Sequence, residues 1–408
     1  MTVLTGLKNY LNPKVLVFLG LGLASQAPTN LIGGTLKYWF SQEGINLAQI
    51  GLFGLVLLPY AFKFLWAPFI DQINLPFAKY LGRKKTWGLL AQITLMGLLL
   101  ALSVSHPQTE QIRIFAICLA IAFCASTQDI VIDALRIDTL SGDELKTGSA
   151  IYQFGARIGF LIAVAGMIFL SARVSWQTAY QLSIALIGIG FISLCLIHEK
   201  KAPPTQISFR RFAIEPFQDL IRREHFFTLC AFIILYKMCN GVLGPMAYPF
   251  YHKIGFTADD IALVSGTFGV FVTMAGIFCG GLLMVKYPYR PMLFWLGILE
   301  IFTSVSFAAL AYIGPNILGF FVVILFDNLV GGIGGAVWVA FLSGLCSRSY
   351  SATQYAFLIA LTMFPLSVIA SSSGWFAEQL GWIGFFLMTG ALMIPGLIML
   401  KTMKLKQV

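Results

Sequence analysis

The sequence predicts an all-α membrane protein of twelve transmembrane helices in two six-helix halves, and three observations predict it. The first is composition. Of 408 residues, 58% are hydrophobic and 11% charged, with a mean hydropathy of +0.83, whereas a soluble domain is about one-quarter charged. No water-soluble core can hide that much apolar surface, so a bilayer must cover it. The second is repetition: runs of roughly 20 apolar residues, enough helix to cross about 30 Å of hydrocarbon, recur twelve times along the chain. The third is one long polar interruption, His198 to Glu224, "HEKKAPPTQISFRRFAIEPFQDLIRRE", with six runs on either side.

In order, the runs cover 15–40, 47–70, 86–105, 112–139, 147–170 and 176–197, then 226–251, 259–286, 290–312, 316–346, 351–373 and 382–401. This gives a bundle over 1–197, a cytoplasmic linker over 198–225 and a second bundle over 226–408. The first run leads straight into the repeating pattern, so no separate cleavable signal is expected. The second holds Lys63, and the connection after it holds Asp71, Gly82, Arg83, Lys84 and Lys85. Into the fourth, "AFCASTQDIVIDALRIDTL" brings Gln128, Asp129, Asp133, Arg136 and Asp138. Arg157 lies in the fifth, Lys237 and Asn240 in the seventh, Glu300 in the ninth and Asp327 in the tenth. The halves are faintly alike: "LSGDELKTGSAIYQFG" and "LCSRSYSATQYAFLIA" each join a fourth span to a fifth. Two such repeats around a central cavity are how many secondary transporters are built.

Charge gives the orientation. The N-terminus, the even-numbered connections and the C-terminus hold twenty Lys and Arg, against four (Lys37, Arg113, Arg173, Lys253) on the other side. Both termini and the central linker are therefore expected in the cytoplasm. The net charge of +10 is spread over these short loops, so it reads as topology and not as a nucleic-acid surface. Seven cysteines lie in apolar runs without CxxC or metal-ligand spacing, which indicates neither disulfides nor a metal site. No GxxxxGK[ST] occurs, so ATP does not drive the chain directly. No nucleophile, base and orienting group recur at a catalytic spacing, so no enzyme, catalytic residue or cofactor is expected. His106 and His252 near span ends read as solvated, and the Trp and Tyr residues as interface belt.

The interior charges carry the functional expectation. An ionised group at mid-bilayer costs at least a few kcal/mol, so it faces a protein interior or a watery cavity. At 100° per residue, Asp129, Asp133 and Arg136 share one helix face and Asp138 points away. Lys63, Asp129, Asp133 and Arg157 all fall roughly 10–17 Å inside the cytoplasmic surface, at 1.5 Å per residue. They could form one layer of two acids and two bases. The reading assigns proton coupling to Asp129 and Asp133, binding of an anionic small molecule to Lys63, Gln128, Arg157, Lys237 and Asn240, and gating to Asp71, Arg83, Arg136 and Asp138. Internal ion pairs that only fix helix packing are the alternative for each. A monomer in the lipid bilayer is expected, with protons and the solute as its partners.

These stretches also carry a resemblance. "GLASQAPTNLIGGTLKYWF", "YAFKFLWAPFIDQ" with "LGRKKTW", "AFCASTQDIVIDA", "LYKMCNG", "YSATQYA" and "GWFAEQLGW" resemble the AmpG-type muropeptide permeases of the major facilitator superfamily, over nearly the whole chain. The resemblance implies that superfamily's fold and an importer in the bacterial inner membrane, driven by protons, that brings anhydro-muropeptides into the cytoplasm for cell-wall recycling. Lys63, Gln128, Asp129, Asp133 and Lys237 fall on matching motif positions. The chain departs at Asn240, where the family commonly has an acid, and at Gln72, where the superfamily usually has a base after its Asp. Related permeases take up ferric siderophores, so a polycarboxylate siderophore is the alternative solute, and a non-transporting membrane sensor the alternative class.

Overall fold

A computed structural model describes residues 10–45, 47–199, 214–223, 225–370 and 372–402. Ten helices among them are long and apolar enough to cross a membrane. They are α1 (Pro13–Gln42), α3 (Arg83–Ser103), α4 (Gln111–Thr139), α5 (Asp143–Ser171), α6 (Trp176–Leu196), α7 (Phe226–Ile254), α8 (Asp259–Lys286), α9 (Tyr289–Ile313), α10 (Ile317–Gly344) and α12 (Ser373–Lys401). The other two spans are α2, over 47–72, and α11, Ser351–Ala370. The all-helical fold with twelve spans follows.

Two spans are broken by a proline or a glycine, and sequence explains both. In place of one helix, α2 runs as Leu47–Leu52, a 3-10 stretch Phe53–Leu57, Leu58–Phe62, a 3-10 turn Lys63–Leu65 and Ala67–Gln72. Pro59 and Pro68 each lie in the first turn of a fresh segment, where a missing N–H is tolerated but the incoming helix cannot continue its ladder. Lys63 thus sits on a break. In α12, Gly381 takes a positive φ of 65°, a kink that falls just before the start of the apolar run at 382.

The described residues fall into two compact units, one of 10–217 with 346–357, the other of 218–345 with 358–402. Within the first, α1 and α5 touch backbone to backbone. A side chain at Gly155 would collide with the Leu19 carbonyl, so only glycine lets the axes approach this closely. Both helices also carry a π turn, Leu31–Thr35 and Ile162–Gly166, and the Thr35 hydroxyl donates to the Ala163 carbonyl at 2.5 Å across the pair. The second unit repeats the device in α8 and α10, where a Cβ on Gly332 would strike the Thr273 carbonyl. Its core is aromatic: Phe250 meets Phe386 edge to face at 4.7 Å, and Phe307 stacks on Phe386 at 5.1 Å.

Candidate functional site

Helix α4 runs unbroken for 29 residues, and every residue from Ala125 to Ile137 is buried. Such a helix has no solvent to stabilise its charges, so each must find a partner in the protein. Asp129 Oδ1 accepts a hydrogen bond from Ser25 Oγ at 2.6 Å, and the Tyr152 hydroxyl meets the same Ser25 oxygen at 2.9 Å. Lys63 Nζ stands 4.0 Å from Asp129 Oδ2. One turn along, Asp133 Oδ1 holds Arg136 Nη2 at 2.9 Å. Arg136 is fully buried, its guanidinium 4.7 Å from the Tyr152 ring centre and 5.3 Å from that of Tyr355. The two pairs differ in kind. Asp133 and Arg136 form a charge-assisted bond at full strength, whereas Lys63 and Asp129 sit at the outer limit of an ion pair. Lys63 is thus the less committed cation.

Gln128 Nε2 donates to the Ala24 carbonyl at 3.0 Å, tying α4 to α1. Arg157 is exposed and joins no ion pair among the described residues. Depth along the axis puts it level with the others, but direction does not. Tyr152 faces the cluster, and five residues later a helix has turned by about 140° away from it. The second base of this cluster is Arg136. Ser25, Tyr152 and Tyr355 were missed by the search for charges, because hydroxyls in apolar runs cost little and give no signal.

The second unit has its own interior charges, of which Glu300 is buried and Lys237 half-buried. Lys237 on α7 holds its ammonium 5.1 Å from the Trp338 ring centre, and Trp338 stacks on Tyr236 at 5.3 Å with the planes 4° apart. A cation over an indole face is stabilised by the ring quadrupole without being neutralised, so the Lys237 charge remains available to an anion. One turn on, Asn240 Nδ2 donates to Glu300 Oε1 at 3.1 Å. Asn240 therefore satisfies a buried carboxylate. Asp327 on α10 is half-buried. Trp338 is the residue that sequence reasoning missed here, being one indole among eight.

A third cluster lies in the first unit at the ends of α2, α3, α4, α6 and the start of α11. Asp71 is 1% exposed. Its carboxylate accepts from the Thr353 N–H at 2.8 Å, the Thr353 hydroxyl at 2.7 Å and the Ala352 N–H at 3.3 Å, and lies 3.2 Å from Lys84 Nζ. Asp71 thus caps the N-terminus of α11, where unpaired N–H groups and the helix dipole both favour an anion. Lys84 also reaches Asp138 at 2.6 Å and the Ser351 hydroxyl at 2.6 Å. Asp138, on the opposite side of α4 from Asp133, is used here and not with the interior pair. Arg83 donates to the Asp71 carbonyl and to Asn74 Oδ1. Arg136, expected among the gating residues, belongs to the interior cluster but touches this segment through Tyr355.

Helices α3 and α6 cap one another beside it. Glu199, just past α6, accepts the N–H groups of Lys84 and Lys85 at 3.1 and 2.8 Å. Lys85 in turn donates to the Cys195 and Ile197 carbonyls at 2.7 and 2.9 Å. Each supplies the sign that the other helix end wants. Burial raises the Glu199 carboxyl above the ordinary glutamate value, against the pull of the Lys85 and Lys84 N–H groups.

The chain was compared with known proteins. Residues 18–361 match the model of the Major Facilitator Superfamily. The chain is 33% identical over 397 residues to the anhydromuropeptide permease of Escherichia coli K12, covering 97% of this chain and 80% of that one. It is 30% identical over 388 residues to a Rickettsia felis protein described as transporter AmpG 4, covering 93% and 94%. Among solved structures, a proton:xylose symporter bound to a bromo-deoxyglucose shares the fold at a TM-score of 0.68 and 11% identity, over 96% of this chain and 95% of that one.

Proposed function

The chain belongs to the AmpG-type permease family of the major facilitator superfamily, a transporter and not an enzyme, and we propose that its solute is an anhydro-muropeptide carried into the cytoplasm across the bacterial inner membrane with protons. The likeness over 97% of the chain to the Escherichia coli permease supports the solute. The uneven pairing of the interior charges carries the mechanism. Lys63 is held only at arm's length by Asp129, and Lys237 rests on an indole, with the Glu300 carboxylate near enough to act on it but in no close ion pair with it. Both ammonium groups are free to meet carboxylates of a peptide stem, where each charge-assisted bond is worth more than at a surface. Gln128 and Asn240 are the further candidate contacts, and Arg157, which faces away from the cluster, is not among them.

Asp129 couples this binding to protons. When it is ionised it competes with the solute for Lys63; when it is protonated it keeps the Ser25 bond and releases Lys63. Asp133, one turn along, is bonded to Arg136 and stays out of this exchange. Asp71, Arg83, Arg136 and Asp138 act on the opening and closing of the cytoplasmic end, and the carrier works as a monomer with both termini in the cytoplasm. The test is uptake in inverted or reconstituted vesicles under an imposed pH gradient, with radiolabelled anhydro-muropeptide and a ferric polycarboxylate siderophore side by side. Accumulation of the muropeptide alone supports the reading. Accumulation of the siderophore alone transfers the same mechanism to the other solute, and accumulation of neither, in protein that still folds, overturns it.

A further inference from the structure

At the end of the first unit away from Gly82, Leu140 and Ile197 lies an open cavity of about 750 Å³, within the size range of small-molecule sites. The C-terminal part of α1, the α3–α4 connection and the start of α6 form it. Its floor is aromatic. Trp39 and Trp176 stack at 5.6 Å with their planes 20° apart, and Tyr180 backs Trp39 at 5.4 Å. Both indole N–H groups are already engaged, Trp39 with Glu43 at 3.3 Å and Trp176 with Gln42 at 2.9 Å, so the rings are fixed in place. Trp39 is buried while Trp176 is half-exposed, which leaves part of its surface open to the cavity. The wall is polar and short of cations: Glu43, His106, Gln108 and Gln177 line it, and neither Lys nor Arg does.

That chemistry selects against a carboxylate and in favour of a neutral ring that presents apolar C–H groups on one face and hydroxyl and amide groups at its edge. The Trp176 ring offers a rigid platform for the face, and the Gln177 amide and the remaining lone pairs of Glu43, whose carboxylate already accepts from Trp39 and Gln108, offer donors and acceptors for the edge. We propose that this cavity is a saccharide-binding vestibule, which takes the N-acetylated amino-sugar part of the solute before the charged interior takes the peptide. The proposal rests on the muropeptide reading for the reason a saccharide arrives here, but binding at the cavity can be measured without transport.

The probe is N,N′-diacetylchitobiose, a neutral disaccharide without a peptide, titrated into detergent-purified protein by calorimetry. Wild type is expected to bind it, Trp176→Ala to lose affinity at least fivefold, Trp176→Phe to recover part of the loss, and Lys237→Gln to match wild type. Glu43→Gln, which keeps an acceptor for the Trp39 indole, is expected to weaken binding severalfold and serves if Trp176→Ala elutes as misfolded protein. No binding by wild type, or a loss that follows Lys237→Gln and spares both Trp176→Ala and Glu43→Gln, overturns the vestibule. Failure of the solute reading looks different: vesicles would ignore muropeptide while disaccharide binding still tracked Trp176.

Discussion

Lys63 to Asp129 is 4.0 Å and Arg136 to Asp133 is 2.9 Å, and this difference divides one buried cluster into a loose pair and a tight one. Asp129→Asn, which mimics the protonated form, is therefore expected to leave solute binding and exchange near wild type while abolishing accumulation under a pH gradient. Vesicles of this variant that still concentrate solute would reassign Asp129 to packing. In the second unit, Lys237→Gln is expected to weaken solute binding by about 1.5–3 kcal/mol, the range for hydrogen bonds to charged groups. Titration and a melting curve on the same preparation separate this from a structural role, which would lower stability and spare affinity. The charges themselves were legible in the sequence because an ion in an apolar run is costly enough to need a reason. Their partners were not: Ser25, Tyr152 and Trp338 are ordinary residues in membrane helices, and only the fold brings them to Asp129, Arg136 and Lys237.

Helix ends show the same division. The run "LGRKKTW" announced a basic connection, but not that Lys84 joins Asp71 to Asp138, nor that Lys85 and Glu199 exchange caps between α3 and α6. Those pairings join residues up to 114 positions apart and have no local pattern. Asp71→Asn keeps the shape of the α11 cap but removes its charge, so it is expected to lower the uptake rate with solute affinity unchanged, because it shifts the balance of states and not the site. Uptake at the wild-type rate would remove Asp71 from gating. Glu199→Ala leaves two N–H groups of α3 without their acceptor and should lower stability by about 1 kcal/mol, as the loss of an N-cap does. Its pH signature has a definite sign. A carboxyl that binds its proton more tightly folded than unfolded contributes most at low pH, and the contribution falls as pH rises from the ordinary glutamate value to the higher folded one. Glu199→Gln should therefore flatten the part of the stability profile that begins near pH 4.3, the usual glutamate value, and melts taken across that region against wild type test it.

At the scale of the molecule, the apolar runs were nearly sufficient. They located twelve spans because hydrocarbon thickness sets helix length whatever the packing. They read α2 as one rod, since hydropathy does not register that Pro59 and Pro68 interrupt its backbone. They also assigned 346–357 to the second half of the chain by order, whereas these residues pack within the first unit; chain order says nothing about where a connection docks. Lys and Arg counts give a prediction at this scale too. In a background with the native cysteines replaced, Ser208→Cys should react with a membrane-impermeant maleimide only in inside-out vesicles, and Thr109→Cys only in right-side-out ones. The reverse pattern would invert the topology.

The exchange of caps between α3 and α6 also imposes a timetable on synthesis. The first N–H groups of α3 emerge from the ribosome with residues 84 and 85, yet the carboxylate that receives them is residue 199, more than a hundred codons later. Until then water or lipid headgroups must hold that helix end at the membrane surface, and α6 in turn ends on the Cys195 and Ile197 carbonyls, which Lys85 answers. The start of α3 is thus completed by a residue just past the end of the first bundle. A nascent chain stalled before codon 199 should remain open to protease at the start of α3, and one stalled after the linker has cleared the ribosome should not.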